Sequence, residues 1–210
     1  MLKKDIYKPD TFLYFAYGAN LLGFRVKWFN PTATFVTIAR LDNYRLDFSR
    51  FSPFWGGPIA TIVPTANAHT WGIIWRLHKG DMVSLDDQNK VDEKSYFIKY
   101  VTVHTPHMGD FMCRTYMRKV YPLPKGDHDP MPVERWPSWS YKQILIIGAE
   151  QHNLPSHYIR FLKKIKDNGD IACWLLALML KRYTEKEPCE CRVPGIIPRR
   201  PLKITVKKSG

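Results

Sequence analysis

Apolar and polar residues alternate through the first half of the chain, then switch to a helical period. Residues 12–16 form an aromatic–aliphatic run that stops at Gly18-Ala19-Asn20, which predicts a buried strand opening into a turn. Leu21, Leu22, Val26 and Phe29 then recur at helical spacing until Asn30-Pro31 ends the segment. Strands are predicted at 32–38, 44–48, 59–63 and 70–77, the third of them following Gly56-Gly57-Pro58. Residues 81–88 predict a short helix with Asp81 as its N-cap. Two further β segments, 96–104 and 111–119, meet around Met108-Gly109-Asp110. Prolines 122, 124, 130, 132 and 137 make 121–137 a loop, and helices are predicted beyond it at 140–152, 156–166 and 171–183. Strands first and helices later predict an α+β fold: a mostly antiparallel, barrel-like sheet with flanking helices. Residues 1–187 read as one domain and 188–210 as a basic, proline-containing tail, either unstructured or strapped to the body.

Composition changes this picture little. With 210 residues, 45% of them apolar, and 14% aromatic, the chain can bury a sizeable core. Charge adds more. The net charge is +13, of which residues 181–210 hold +6 and the first 180 hold +7. Such a balance suits an acidic partner for the tail, or simply a solvated basic surface; no nucleic-acid motif favours the first. The longest apolar stretch, 171–180, is half a membrane span and reads as a buried helix, so no membrane span is expected. The N-terminus makes a poor secretory signal, and four cysteines without one point to reduced thiols in the cytoplasm. Cys189-Glu190-Cys191 is weak metal evidence because four ligands at finger-like spacing are missing. His104 and His107 read as parts of an exposed hairpin before they read as ligands.

The first chemically informative cluster is Phe15-Ala16-Tyr17-Gly18-Ala19-Asn20-Leu21. A strand that stops at glycine and starts a helix leaves backbone N–H groups unpaired, a ready seat for a carboxylate or an oxyanion, though an ordinary strand–helix turn has the same pattern. Tyr17-Gly18-Ala19-Asn20-Leu21 resembles the Tyr-Gly-Ser-Asn-Leu signature of the γ-glutamylcyclotransferase family. The resemblance continues in order through Ala39-Arg40-Leu41, Leu46-Asp47-Phe48, Gly56-Gly57, Ile59-Ala60-Thr61-Ile62, Trp71-Gly72-Ile73-Ile74-Trp75 and Ser84-Leu85-Asp86-Asp87-Gln88. It then takes in Tyr96, Cys113-Arg114-Thr115-Tyr116, Tyr141-Lys142-Gln143-Ile144, Gly148-Ala149 and Asn153-Leu154-Pro155, ending near residue 167.

The resemblance implies a small γ-glutamyl substrate or ligand, no metal and no organic cofactor. In that family the substrate's own α-amine attacks its γ-carbonyl, releasing 5-oxoproline and an amine. Holding the folded-back conformer can supply roughly 7–11 kcal/mol of the barrier. The protein must still take a proton from the α-ammonium, stabilise the oxyanion and protonate the leaving nitrogen. By position, Tyr17, Gly18, Ala19, Asn20 and Leu21 supply backbone donors, and Tyr96 and Tyr141 line the substrate pocket. The general base is expected one residue after the glutamine of a Leu-Asp-Glu-Gln-Glu pattern. Here that run reads Leu85-Asp86-Asp87-Gln88-Asn89, and the Asn89 amide cannot accept and return a proton. A missing base typically costs about 10²–10⁴ in rate. Asp87 faces away at helical spacing, which leaves Asp92 and Glu93 as candidate substitutes. The expectation is a cyclotransferase-like protein that forms 5-oxoproline if active; the alternative is a non-catalytic relative that keeps the pocket or the basic surface for binding. A homodimer is compatible with either.

Overall fold

The computed structural model describes residues 6–89, 91, 95–122 and 130–172. Five strands close into a barrel: β1 (Thr11–Ala16), β2 (Thr34–Ser52), β3 (Gly57–His78), β4 (Tyr96–Thr105) and β5 (Gly109–Arg118), in the spatial order β1-β3-β2-β4-β5. Every neighbouring pair is antiparallel except β5 and β1, which run parallel where Tyr14 meets Arg114 and seal the barrel. Closure leaves no long open edge.

Two pairs of predicted strands are single elements. The segments 32–38 and 44–48 join as β2, and 59–63 and 70–77 join as β3. Polar residues and Pro64 between them suggest breaks in sequence. In space they are bends, because the β2–β3 register shifts between Phe35 and Thr37, Asp42 and Tyr44, and Ser49 and Phe51. A bulge curves a strand without ending its pairing. Asn43 and Asn67 sit at one such bend with φ of 61° and 62°, and the Asn43 side-chain oxygen accepts the Asn67 N–H at 3.2 Å.

The helices flank this barrel: α1 (Gly23–Phe29), α2 (Met82–Gln88), α3 (Trp139–Gln151) and α4 (Ser156–Lys164). Asp81 does not cap α2 as expected. A 3-10 turn over Lys79–Asp81 leads into the helix, and the Asp81 carboxylate instead accepts from the Thr32 N–H at 3.1 Å and its hydroxyl at 2.6 Å, tying α2 to the start of β2. Helix α3 has the cap that α2 lacks: Ser138 accepts the Tyr141 N–H at 3.1 Å. Of the helix predicted at 171–183, only Ile171 and Ala172 are described, and neither is helical; the tail and the 187/188 boundary lie outside the described residues.

Phe15, Phe48, Ile62, Ile73, Ile74, Trp75 and Leu77 are fully buried between the strands and the helices. Asp47, 2% exposed, receives Arg45 at 2.9 Å and Arg135 at 3.4 Å, which pins the segment leading into α3 against β2. His104 lies in β4 at the hairpin, its Nδ1 2.7 Å from the Asp110 carboxylate, in keeping with the hairpin reading. Among the described residues no helix is long and apolar enough to cross a membrane.

Candidate active site

The chain leaves β1 at Ala16 and turns through Tyr17 and Gly18 into a 3-10 turn, Ala19–Leu21. This turn closes on itself, with the Leu21 N–H donating to the Gly18 carbonyl at 2.8 Å and the Leu22 N–H to Ala19 at 3.2 Å. Small residues are required where α3 crosses it. A Cβ on Gly148 would lie 2.5 Å from the Leu21 carbonyl carbon, and one on Gly18 would lie 3.3 Å from the Tyr141 hydroxyl. The turn is therefore seated directly beneath α3.

Beside it opens a small cleft of about 80 Å³. Tyr17, Gly18, Ala19, Asn20, Asn89, Tyr96 and Tyr141 all line it, so seven of the eight positions expected from sequence converge on one place. Leu21 does not: its side chain is fully buried and packs under Gly148, and its backbone N–H, expected as a donor, is taken by the Gly18 carbonyl.

Hydrogen bonds fix the walls. The Tyr141 hydroxyl accepts the Ala60 N–H at 3.0 Å, and the Tyr96 hydroxyl donates to the Ala60 carbonyl at 2.9 Å, so two tyrosines clamp the backbone of one residue of β3. The Tyr17 hydroxyl donates to the Tyr116 carbonyl at 2.5 Å. Asn20 gives its carbonyl to the Trp75 indole at 3.0 Å and its side-chain amide to the Tyr14 hydroxyl at 3.2 Å, while its side-chain oxygen accepts from Arg25. Arg25 lies over the Trp55 ring at 5.3 Å and the Phe29 ring at 5.4 Å. We expect Tyr141→Phe to leave the buried Ala60 N–H without an acceptor and to lower stability by about 1–3 kcal/mol in urea unfolding.

Charge in the cleft is one-sided. Arg25 and Arg50 line it, and no carboxylate does among the described residues. Burial pushes the Tyr14 phenol up to about 12, against the pull of Asn20 and Arg25. Burial likewise raises Tyr17, Tyr96 and Tyr141 above the ordinary phenol range, so these hydroxyls stay protonated at neutral pH and act as hydrogen-bonding groups. Asn89 stands at the C-terminal end of α2, half-buried, with its side-chain amide donating to the Leu85 carbonyl at 2.7 Å. Behind this rim, Arg114 holds the Asp86 carboxylate at 2.5 and 2.7 Å and the Tyr116 hydroxyl donates to it at 2.5 Å. Asp87 is exposed, on the side its spacing indicated. Asp92 and Glu93 lie outside the described residues.

Sequence reasoning missed Tyr14, Arg25, Arg50, Trp55 and Tyr116. Tyr14 and Tyr116 read as strand aromatics, and Arg25 as one cation among 32 basic residues. The one usable signal was the place of Tyr116 in Cys113-Arg114-Thr115-Tyr116, which belongs to the family pattern.

A barrel whose strand-to-turn junction, paired tyrosines and arginine meet at one cleft defines a class, and similarity to known proteins identifies it. Residues 69–162 match the model of the AIG2-like family. The γ-glutamylcyclotransferase of Mus musculus is 37% identical over 163 residues, covering 76% of this chain and 81% of its own length. That of Homo sapiens is 37% identical over 171 residues, covering 79% and 85%. A solved γ-glutamyl cyclotransferase superposes with a TM-score of 0.73 at 34% identity, covering 82% of this chain and 99% of that one. The chain belongs to the γ-glutamylcyclotransferase family.

Proposed function

We propose that the cleft holds the γ-glutamyl portion of a small ligand and cyclises it to 5-oxoproline slowly, the rate limited by the residue at position 89. The family and the convergence of seven expected positions support the ligand class. The observation that carries the slow rate is Asn89 on the cleft rim, an amide anchored to the Leu85 carbonyl where the resemblance calls for a carboxylate. The junction Tyr17 to Asn20 on the cleft wall supports the electrostatic part of the reaction, since a backbone N–H needs no side chain at Ala19, while the Leu21 and Leu22 N–H groups are taken within the turn. Cys113, buried and free of a disulfide, suits a reducing compartment, and we place the protein in the cytosol.

Incubating the purified chain with γ-glutamyl-alanine separates the readings. The expected outcome is saturable binding by calorimetry with 5-oxoproline released well below about 1 per second, the low end of ordinary enzyme turnover. Turnover at or above that value would refute the claim that position 89 limits the rate. Absence of binding would refute the ligand class.

A further inference from the structure

The cleft has no carboxylate of its own among the described residues, but one stands a single side chain behind its wall. Asp86 precedes Asn89 by three residues on α2, which puts both on the same side of the helix. Its carboxylate does not line the cleft. It accepts the Tyr116 hydroxyl at 2.5 Å, and Tyr116 does line the cleft. Arg114 holds the carboxylate from behind at 2.5 and 2.7 Å, and its Nε donates to the Tyr116 oxygen at 3.2 Å. A phenolic oxygen has one proton to give and two lone pairs. The proton points at Asp86 and one lone pair faces Arg114, which leaves the second lone pair for a donor in the cleft. The geometry points to a proton relay in which Tyr116 carries a ligand proton to Asp86, performing indirectly the task that Asn89 cannot.

This relay rests on the proposed function and supplies its slow turnover. The α-ammonium gives one proton to the Tyr116 oxygen as Tyr116 gives its own to Asp86. The freed nitrogen lone pair forms the ring C–N bond at the γ-carbonyl carbon, and the carbonyl π pair moves onto oxygen. Collapse of that oxyanion breaks the old C–N bond. The leaving nitrogen takes the stored proton back through Tyr116, and the second proton shed by the ring nitrogen follows by the same path, so the amine departs as an ammonium ion and the lactam keeps one N–H. Tyr116 is not itself the base: burial holds its phenol far above the usual range.

The test follows 5-oxoproline release from γ-glutamyl-alanine by the full chain and its variants. Asp86→Asn and Tyr116→Phe are each expected to lower kcat at least tenfold with KM changed less than threefold, and Asp87→Asn to change neither. Because Asp86 also braces Arg114, the decisive comparison repeats Asp86→Asn in an Asn89→Glu background, where a glutamate takes the proton directly. There it should keep at least half the rate of Asn89→Glu alone. An equal loss in both backgrounds would mean that Asp86 is structural and would overturn the relay. Loss of the residual rate with Asp92→Asn or Glu93→Gln would also overturn it, since the base would then lie there. A chain that binds γ-glutamyl-alanine without any turnover, while its Asn89→Glu form turns over, would overturn the relay and leave the ligand class standing. Failure of both forms to bind would bring down the ligand class and the relay together.

Discussion

Asn89→Glu should raise the rate of 5-oxoproline release from γ-glutamyl-alanine by at least about tenfold, as expected when a general base is restored. Asn89 ends a seven-residue helix on the cleft rim, and its amide is held at 2.7 Å by the Leu85 carbonyl. A carboxylate cannot make that bond, since it has no proton to donate and would be repelled by the carbonyl oxygen. The glutamate side chain must therefore leave the helix end, and the cleft is the open direction. Losing the amide bond costs about 0.5–1.5 kcal/mol of stability. The negative end of α2 disfavours a carboxylate there and raises its proton affinity, while Arg25 and Arg50 across the cleft oppose this. Steady-state kinetics on the two forms decide the matter, and a gain below tenfold would show that the cleft lacks more than a base.

Gly148→Ala should cost at least about 2 kcal/mol of unfolding free energy, within the usual range for overpacking a closed contact. Helix propensity argues the other way, because alanine is favoured over glycine in a helix interior by about 1 kcal/mol. Sterics decide the sign. The added Cβ would stand 2.5 Å from the Leu21 carbonyl carbon, 2.6 Å from the Leu22 nitrogen and 2.7 Å from the Leu21 Cβ. Two of those atoms are backbone in the 3-10 turn that borders the cleft, and neither can swing aside as a side-chain tip would. Either α3 lifts or the turn moves, and both displace Tyr141 relative to Gly18. Denaturant unfolding should show the lost stability, and calorimetry should show weaker γ-glutamyl-alanine binding in the same variant. Stability equal to that of the parent would mean that the crossing is looser than these distances state.

Much of the fold was legible because its causes are local. The apolar run 12–16, the β segments 96–104 and 111–119 and the helical segments 140–152 and 156–166 each match an observed element to within a few residues. Misreadings fall where a local signal has a nonlocal answer. Pro64 and the polar stretch around Asn43 look like strand ends; they became a bend because pairing resumes on either side, Asp42 with His69 and Tyr44 with Pro64. Asp81 looks like a cap, but Thr32, far away in sequence, offers it two donors.

By itself, the sequence determined the barrel class, the family pattern and an amide rather than a carboxylate at position 89, because strand alternation, helical spacing and residue identity need no partner to be read. Only the tertiary structure decided which groups share the cleft. It set Tyr141 on the Ala60 N–H and Tyr96 on the Ala60 carbonyl, turned Leu21 into the core, brought Arg25 onto Asn20, and placed Asp86 one hydroxyl away from the wall that Asn89 borders. Barrel closure is the physical reason. Pairing β5 with β1 carries Arg114 and Tyr116 across a hundred residues of chain to stand beside Tyr14, and α2 then sets Asp86 against them, a meeting that no spacing along the chain encodes.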